Sequence, residues 1–425
     1  MTDLSQMSRD ELGRRRDELS AQYEAYRARG LKLDMTRGKP GSDQLDLGAG
    51  LATCLAASDI KASDGTDIRN YGGLDGLPEM KALFAEILEA KPDQVIVSGN
   101  SSLQIMHDTM ARALLHGVPG GKTPWGKQPI KFLCPSPGYD RHFAICEHHG
   151  IEMIVVDLKD DGPDMNAVER LVAEDESIKG IWCVPKYANP TGITYSAKTV
   201  ERLASMKTAA PDFRIFWDNA YVVHDLYETT DPLENILTAC EKAGNADRVY
   251  VFGSTSKISW AGAGIAAMAS SAANVKELKR HLAIQTIGPD KVNQLRHIRF
   301  FKDAAGVRAH MQKHAALIRP KFEAVIEAFE RHLNGKGIGT FTRPRGGYFI
   351  SLDTLDGCAS EVVKRADAAG VKLTSAGATF PYGRDPRDRN IRIAPTLPPL
   401  EQVKLAMEVV CCCVELVSIE RRLSV

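Results

Sequence analysis

The sequence predicts an α/β fold: a mostly parallel seven-stranded sheet with helices on both faces, plus a smaller α+β domain. Two observations carry this. Short, near-continuous apolar runs rich in β-branched residues recur from about residue 90, with helical patterns between them, as strands buried on both faces require. After about residue 305 the texture changes to a long helical stretch followed by Gly-rich turns and short strands.

The bulk figures fit such a chain. At 425 residues it exceeds what one compact core usually organises, so two domains are expected. Lys plus Arg and Asp plus Glu both number 54, and no basic block occurs, which argues against a nucleic-acid or anionic-membrane partner. The polar start Met1–Ser5 carries no basic, then apolar, leader pattern, and no run reaches the ~18 apolar residues of a membrane helix. Nine cysteines without regular spacing read as reduced thiols, so a cytoplasmic location is expected.

In chain order, residues 8–30 read as a charged helix, and Leu31–Pro40 as extended chain ending in Arg37-Gly38-Lys39-Pro40. The expected strands are Gln94–Ser98, Ile130–Cys134, Ile151–Leu158, Gly180–Pro185, Phe213–Trp217, Arg248–Gly253 and Gly264–Ser270. Ser102–His116 and Met165–Ala173 are expected helices between them. Ala309–Leu333 is the long helix near the junction, followed by strands at Tyr348–Leu352, Val371–Thr374 and Ile391–Ala394.

Three polar groups follow strand ends, where open α/β sheets bind ligands. They are Asn189-Pro190-Thr191-Gly192, Asp218-Asn219-Ala220-Tyr221 and Ser254-Thr255-Ser256-Lys257. Each alone has a bland reading: a turn, a helix cap, a surface lysine. Together, on successive strand ends, they resemble the class I aminotransferases of fold type I, enzymes that use pyridoxal 5′-phosphate. Other segments extend the resemblance over nearly the whole chain. They are Asn70-Tyr71-Gly72-Gly73, Gly99-Asn100-Ser101-Ser102, Pro137-Gly138-Tyr139 with His142, and Asn390-Ile391-Arg392-Ile393-Ala394. Thr36–Pro40 and Pro137–His142 are similar to a bacterial subgroup of aspartate aminotransferases.

The resemblance implies roles. Lys257 would carry the cofactor as a Schiff base and then shuttle the substrate proton. Asp218 would pair with the pyridine nitrogen, with His142 orienting it and Tyr139 covering the ring. Asn189 and Tyr221 would donate to the phenolic oxygen. Gly99, Asn100, Ser101, Ser102, Ser254 and Ser256 would cradle the phosphate, joined by Tyr71 from a second subunit of a homodimer. Arg392 would clamp the substrate α-carboxylate beside Gly38 and Asn189. It also implies an N-terminal arm with part of the small domain at 1–60, a cofactor-binding domain at 61–305 and a small domain at 306–425.

Some points stay open. The family's phosphate-pairing arginine, about eight residues after the lysine, is absent from Ile258–Ile265. Hydroxyls, backbone N–H groups, a helix N-terminus or a cation from elsewhere must serve. For a second, distal substrate carboxylate Arg37, Lys39, Arg141 and Arg296 all qualify. The substrates implied are an amino acid, aspartate first, and a 2-oxo acid, 2-oxoglutarate first. Alternatives are an alanine or aromatic aminotransferase, a β-lyase, a decarboxylase, or the effector domain of a MocR-type regulator. No metal is expected: Cys411-Cys412-Cys413 reads as buried small residues, and His148-His149, being adjacent, as surface. Gly117–Thr123 and Gly262-Ala263-Gly264 lack the spacing of phosphate-binding glycine motifs.

Overall fold

The computed structural model describes residues 3–424; Met1, Thr2 and Val425, at the ends of the expected 1–60 and 306–425 segments, lie outside the described residues. The main sheet has eight strands: β1 (Val95–Val97), β2 (Lys131–Ser136), β3 (Glu152–Lys159), β4 (Gly162–Pro163), β5 (Ile178–Cys183), β6 (Arg214–Asp218), β7 (Val249–Ser254) and β8 (Ala266–Ser270). Their spatial order is β1-β8-β7-β6-β5-β2-β3-β4. Strands β7, β6, β5, β2 and β3 run parallel, whereas β8 is antiparallel to both neighbours and β4 to β3. Seven of the eight match the expected runs. The eighth, Gly162–Pro163, is too short to leave an apolar run and forms only because the chain folds back on β3.

The apolar runs become strands because both of their faces are covered. Every residue of β5 and β6 is buried. On one face Phe216 meets Phe132, Trp182, Tyr250 and Phe252 at centroid distances of 4.6–5.8 Å, the spacing of favourable aromatic contacts. Helices start where a side chain can take up the free N–H groups of the first turn. Ser101, Asp164, Ser196 and Ser271 cap the helices Ser102–His116, Met165–Glu174, Ala197–Ser205 and Ala272–Gln285. Each such cap is worth about 1 kcal/mol.

The second sheet is antiparallel, with strands Gly339–Phe341, Ile350–Thr354 and Asn390–Ile393 in that spatial order. The extended N-terminal segment joins the same core: Leu33–Asp34 pairs in parallel with Val371–Lys372, and the Met35 N–H donates to the Lys372 carbonyl. Register at this short ladder fixes where Arg37–Lys39 can lie. The helix Ala304–His332 runs through two cores. Its early residues Ala304, Val307 and Met311 pack with the main sheet, while Ile318, Phe322, Val325 and Phe329 pack with the C-terminal helix Leu400–Leu423. The helix Arg9–Ala28 buries Leu12 and Leu19 there too, and Arg15 and Lys336 close on the buried Glu415 at 2.8 and 2.7 Å. Cys411, Cys412 and Cys413 are buried in this packing. No described helix is long and apolar enough to cross a membrane.

The long helix also brings two buried histidines under the Lys257 loop. His310 Nε2 donates to the Ile258 carbonyl at 2.9 Å and lies 3.1 Å from His314 Nε2. Burial pushes the His310, His224 and His297 rings below the ordinary imidazole value, and His314 down to about 4. Unfolding exposes these rings, so the unfolded chain binds more protons than the folded one as the pH falls from 6.5 toward about 4. Urea unfolding should therefore show stability constant above pH 6.5 and declining below it. In the variant His314→Gln that decline should be shallower; an unchanged slope would remove His314 from this account.

Candidate active site

Seven of the residues given cofactor or substrate roles in the sequence line or underlie one cleft of about 510 Å³ between the main sheet and the C-terminal sheet. Tyr139, Asn189, Tyr221, Lys257, Arg392 and Gly38 line it directly. Asp218 lies beneath, at the C-terminal end of β6 and fully buried. The strand ends deliver these groups together because β5, β6 and β7 are parallel neighbours, so their C-terminal ends open on the same edge.

Asp218 is held from one side only. Its Oδ2 is 3.0 Å from His142 Nε2, and the His142 ring stacks on Trp182 at 4.4 Å with an interplanar angle of 11°. Its Oδ1 is buried and has no hydrogen-bond partner. A buried carboxylate oxygen left without a donor is costly, by roughly 1–3 kcal/mol or more. The vacant oxygen therefore calls for a donor from a bound group. Tyr139 stands edge-on to the His142 ring at 4.9 Å.

Lys257 follows β7, and its amine lies 5.1 Å from the Tyr221 ring centroid and 5.8 Å from that of Tyr348. Enclosure by these rings lowers its pKa below the ordinary lysine value, while the Asp218 charge pulls the other way. Burial first, and then the negative charges nearby, push the Tyr221 hydroxyl well above the usual phenol range. Tyr221 thus keeps its proton and can act as a donor.

Arg392 is buried on the strand Asn390–Ile393. Its Nη1 donates to Asp140 Oδ1 at 2.9 Å and to Asn189 Oδ1 at 3.3 Å, and its Nη2 to Thr374 Oγ1 at 3.3 Å. Phe349 supports the guanidinium at 5.0 Å, and Nε has no partner. Gly38 passes so close to Phe349 that a Cβ there would lie 2.4 Å from the ring, which explains a glycine at this point of the N-terminal segment.

The phosphate-cradle candidates form a second group. The Ser256 hydroxyl donates to the Asn100 carbonyl at 3.2 Å and the Ser254 hydroxyl to Ser256 Oγ at 3.1 Å, so the loop after β7 meets the loop after β1. The Ala266 N–H donates to the Gly99 carbonyl at 2.7 Å, and Ser101 caps the helix that Ser102 begins. Tyr71 is not brought to the cleft: it is 80% exposed, on a loop tied to residue 291 by a Lys291–Gly72 bond of 2.7 Å. Of the four cations considered for a distal carboxylate, Arg37, Lys39 and Arg141 line the cleft and Arg296 does not.

Asp140, Trp182, Thr374, Tyr348 and Phe349 take part in this arrangement without having been singled out. Asp140 had a signal, since it directly follows Tyr139 in a segment already marked. The others lie on strands or loops where only tertiary packing brings them to the cleft.

Comparison with known proteins agrees with this geometry. Residues 7–425 match the family model described as aspartate amino-transferase. The chain is 46% identical to an aspartate aminotransferase of Corynebacterium glutamicum over 418 residues, covering 98% of this chain and 96% of that one. A crystal structure of an aspartate transaminase from Corynebacterium glutamicum superposes with a TM-score of 0.97 at 45% identity, covering 99% of each chain. The α-aminoadipate aminotransferase LysN of Thermus thermophilus, solved with N-(5′-phosphopyridoxyl)-L-leucine, shares the fold with a TM-score of 0.74 at 19% identity, covering 93% and 96%.

The lowered pKa of Lys257 has a direct readout. In cofactor-free protein, modification of Lys257 by an amine-specific reagent should reach half its maximal rate below pH 10.5. A midpoint at or above that value would mean that the ring enclosure does not govern the amine.

Proposed function

The chain belongs to the aspartate aminotransferase family and is an aminotransferase; from that premise we propose that it transfers the amino group of aspartate to 2-oxoglutarate with pyridoxal 5′-phosphate held on Lys257. The carrying observation is the buried Asp218 carboxylate, with one oxygen fixed by His142 and the other without a partner, below the Lys257 amine. A protonated pyridine nitrogen is the donor that Oδ1 lacks, so the residues present fit the cofactor. When bound, pyridoxal phosphate supplies an aldehyde that condenses with amines and a protonated ring that accepts electrons from the substrate Cα.

The chain's own groups do the rest. The Asp218 carboxylate would favour a proton on the ring nitrogen, and His142, stacked on Trp182, keeps the carboxylate from turning away. Tyr221 and Asn189 line the cleft and would be the donors to the phenolic oxygen. Burial weakens the hold of the Lys257 amine on its proton, so this side chain would be the group to take the proton from the substrate Cα and return it. The first turn of the helix Ser102–His116 offers the phosphate neutral backbone donors in place of an arginine, and the Ser254 and Ser256 hydroxyls would join them by rotating away from Ser256 Oγ and the Asn100 carbonyl.

Substrate choice follows from charge. Lys257 apart, the cleft is lined by Arg37, Lys39, Arg141 and Arg392 against the carboxylate of Asp140. Such a lining favours a dicarboxylate over a neutral amino acid. Arg392 holds the α-carboxylate in the planar two-point geometry that lysine lacks. We also propose a homodimer. Tyr71 (80% exposed), Ile284 (90%) and Ile287 (63%) form an apolar patch, its loops touching at Gly72 and Gly288, and a second copy covering it would bring Tyr71 to the phosphate of its neighbour.

Purified protein supplied with single amino acids should convert from the imine to the amine form fastest with aspartate and glutamate; conversion by alanine but not aspartate would refute the assignment. Arg392→Lys should lower kcat/KM for aspartate by about 10–100-fold, mainly through KM, as loss of a charge-assisted pair implies. Mixing inactive Lys257→Ala with Tyr71→Ala subunits should restore part of the activity. No recovery in verified mixed dimers would remove Tyr71 from its neighbour's site.

A further inference from the structure

Three histidines gather on the surface, apart from the cleft. His107 lies in the helix Ser102–His116; His148 ends the helix Asp140–His148, and His149 caps it. The two neighbours were expected to diverge. The helix stops between them instead: His149 adopts φ −93°, ψ 5°, and Gly150 turns into the left-handed region at φ +66°. Both rings therefore reach the His107 ring, with centroid distances of 5.8 Å for His148, 5.0 Å for His149 and 4.9 Å between those two. One ring nitrogen from each lies within 4.8 Å of the other two.

We infer that His107, His148 and His149 form a binding site for a late divalent transition-metal ion, of which Zn²⁺ is the foremost. Two features point to a ligand rather than to chance crowding. Nε2 of His149 is buried without any hydrogen-bond partner. Nδ1 of His107 faces Asp108 Oδ1 at 3.5 Å, and Gln285 Nε2 fixes the other Asp108 oxygen at 3.0 Å. That is how a carboxylate orients a metal-bound imidazole and frees its far nitrogen.

The donor set selects the ion. Three imidazoles with no oxygen or thiolate ligand suit Zn²⁺, Cu²⁺ or Ni²⁺ and not Mg²⁺ or Ca²⁺. Zn–N bonds of about 2.0–2.1 Å in a tetrahedral site put ligand nitrogens about 3.3 Å apart. From a spread of up to 4.8 Å, closure requires only small side-chain rotations, and the exposed His148 is free to make them. Water takes the fourth position. The ion would pin together the two helices that begin at Ser102 and Asp140, next to the cradle loop and to Tyr139.

The holoenzyme, freed of metal with a chelator and titrated with ZnCl₂ alone in a calorimeter, should bind one Zn²⁺ per chain and gain Tm in proportion to occupancy. His107→Ala and the more exposed His148→Ala should each weaken that binding by at least about 10-fold and abolish the Tm gain, with metal-free transaminase activity unchanged. The site is overturned if no Zn²⁺ binds at one per chain, or if both variants, folded as judged by circular dichroism, bind it as tightly as the parent.

Discussion

An amine and a carboxylate kept from water at one edge of a parallel sheet form the constraint on which the site depends. Lys257 and Asp218 leave β7 and β6 at neighbouring positions, with Asp218 in register beside Phe252. Each charge is costly in that setting unless the other groups compensate. The surrounding structure supplies the compensation unevenly: His142 meets one carboxylate oxygen and leaves the second bare, and aromatic rings, not anions, enclose the amine. The asymmetry leaves the protein incomplete by one donor and with one reactive amine, which is the condition a covalently held, cationic ring would satisfy.

A second layer fixes these two groups. His142 is held by the Trp182 face, and the backbone next to Lys257 is held by His310 at the Ile258 carbonyl and by a Ser259–His297 contact of 2.9 Å. These supports come from helices packed on the sheet, so the precision of the site is inherited from core packing. The long helix Ala304–His332 matters here in another way. It contributes both to the core under the main sheet and to the core around the C-terminal helix, and so joins the two halves between which the cleft lies.

The substrate side of the cleft is built on different terms. Arg392 is already satisfied in part by Asp140, Asn189 and Thr374, so an incoming carboxylate exchanges partners with a preset guanidinium instead of ordering a free one. Pre-ordering of this kind reduces the entropy lost on binding. The exposed Arg37 and Lys39 supply charge from a segment anchored by the Leu33–Val371 pairing and by hydrogen bonds from Thr374 to the Thr36 carbonyl and from Thr396 to the Lys39 carbonyl.

Strand ends were legible in the sequence because burial on both faces demands unbroken apolar runs, and because the polar residues after them stand out against that background. Asn189, Asp218, Tyr221 and Lys257 could be marked for that reason, as could the α/β class. The helix Ser102–His116 was legible to its last residue, since Ser101 caps one end and Gly117, at φ +80°, closes the other. The two-residue strands Leu33–Asp34 and Gly162–Pro163 were not legible, because pairing partners far away in sequence, and not local pattern, hold them. Tertiary structure alone narrowed four cations to three by excluding Arg296 from the cleft, joined Asp140 to Arg392 and turned His148 and His149 toward His107. Local sequence encodes which way a side chain's own backbone runs; which other backbone it meets is decided by the packing of whole elements.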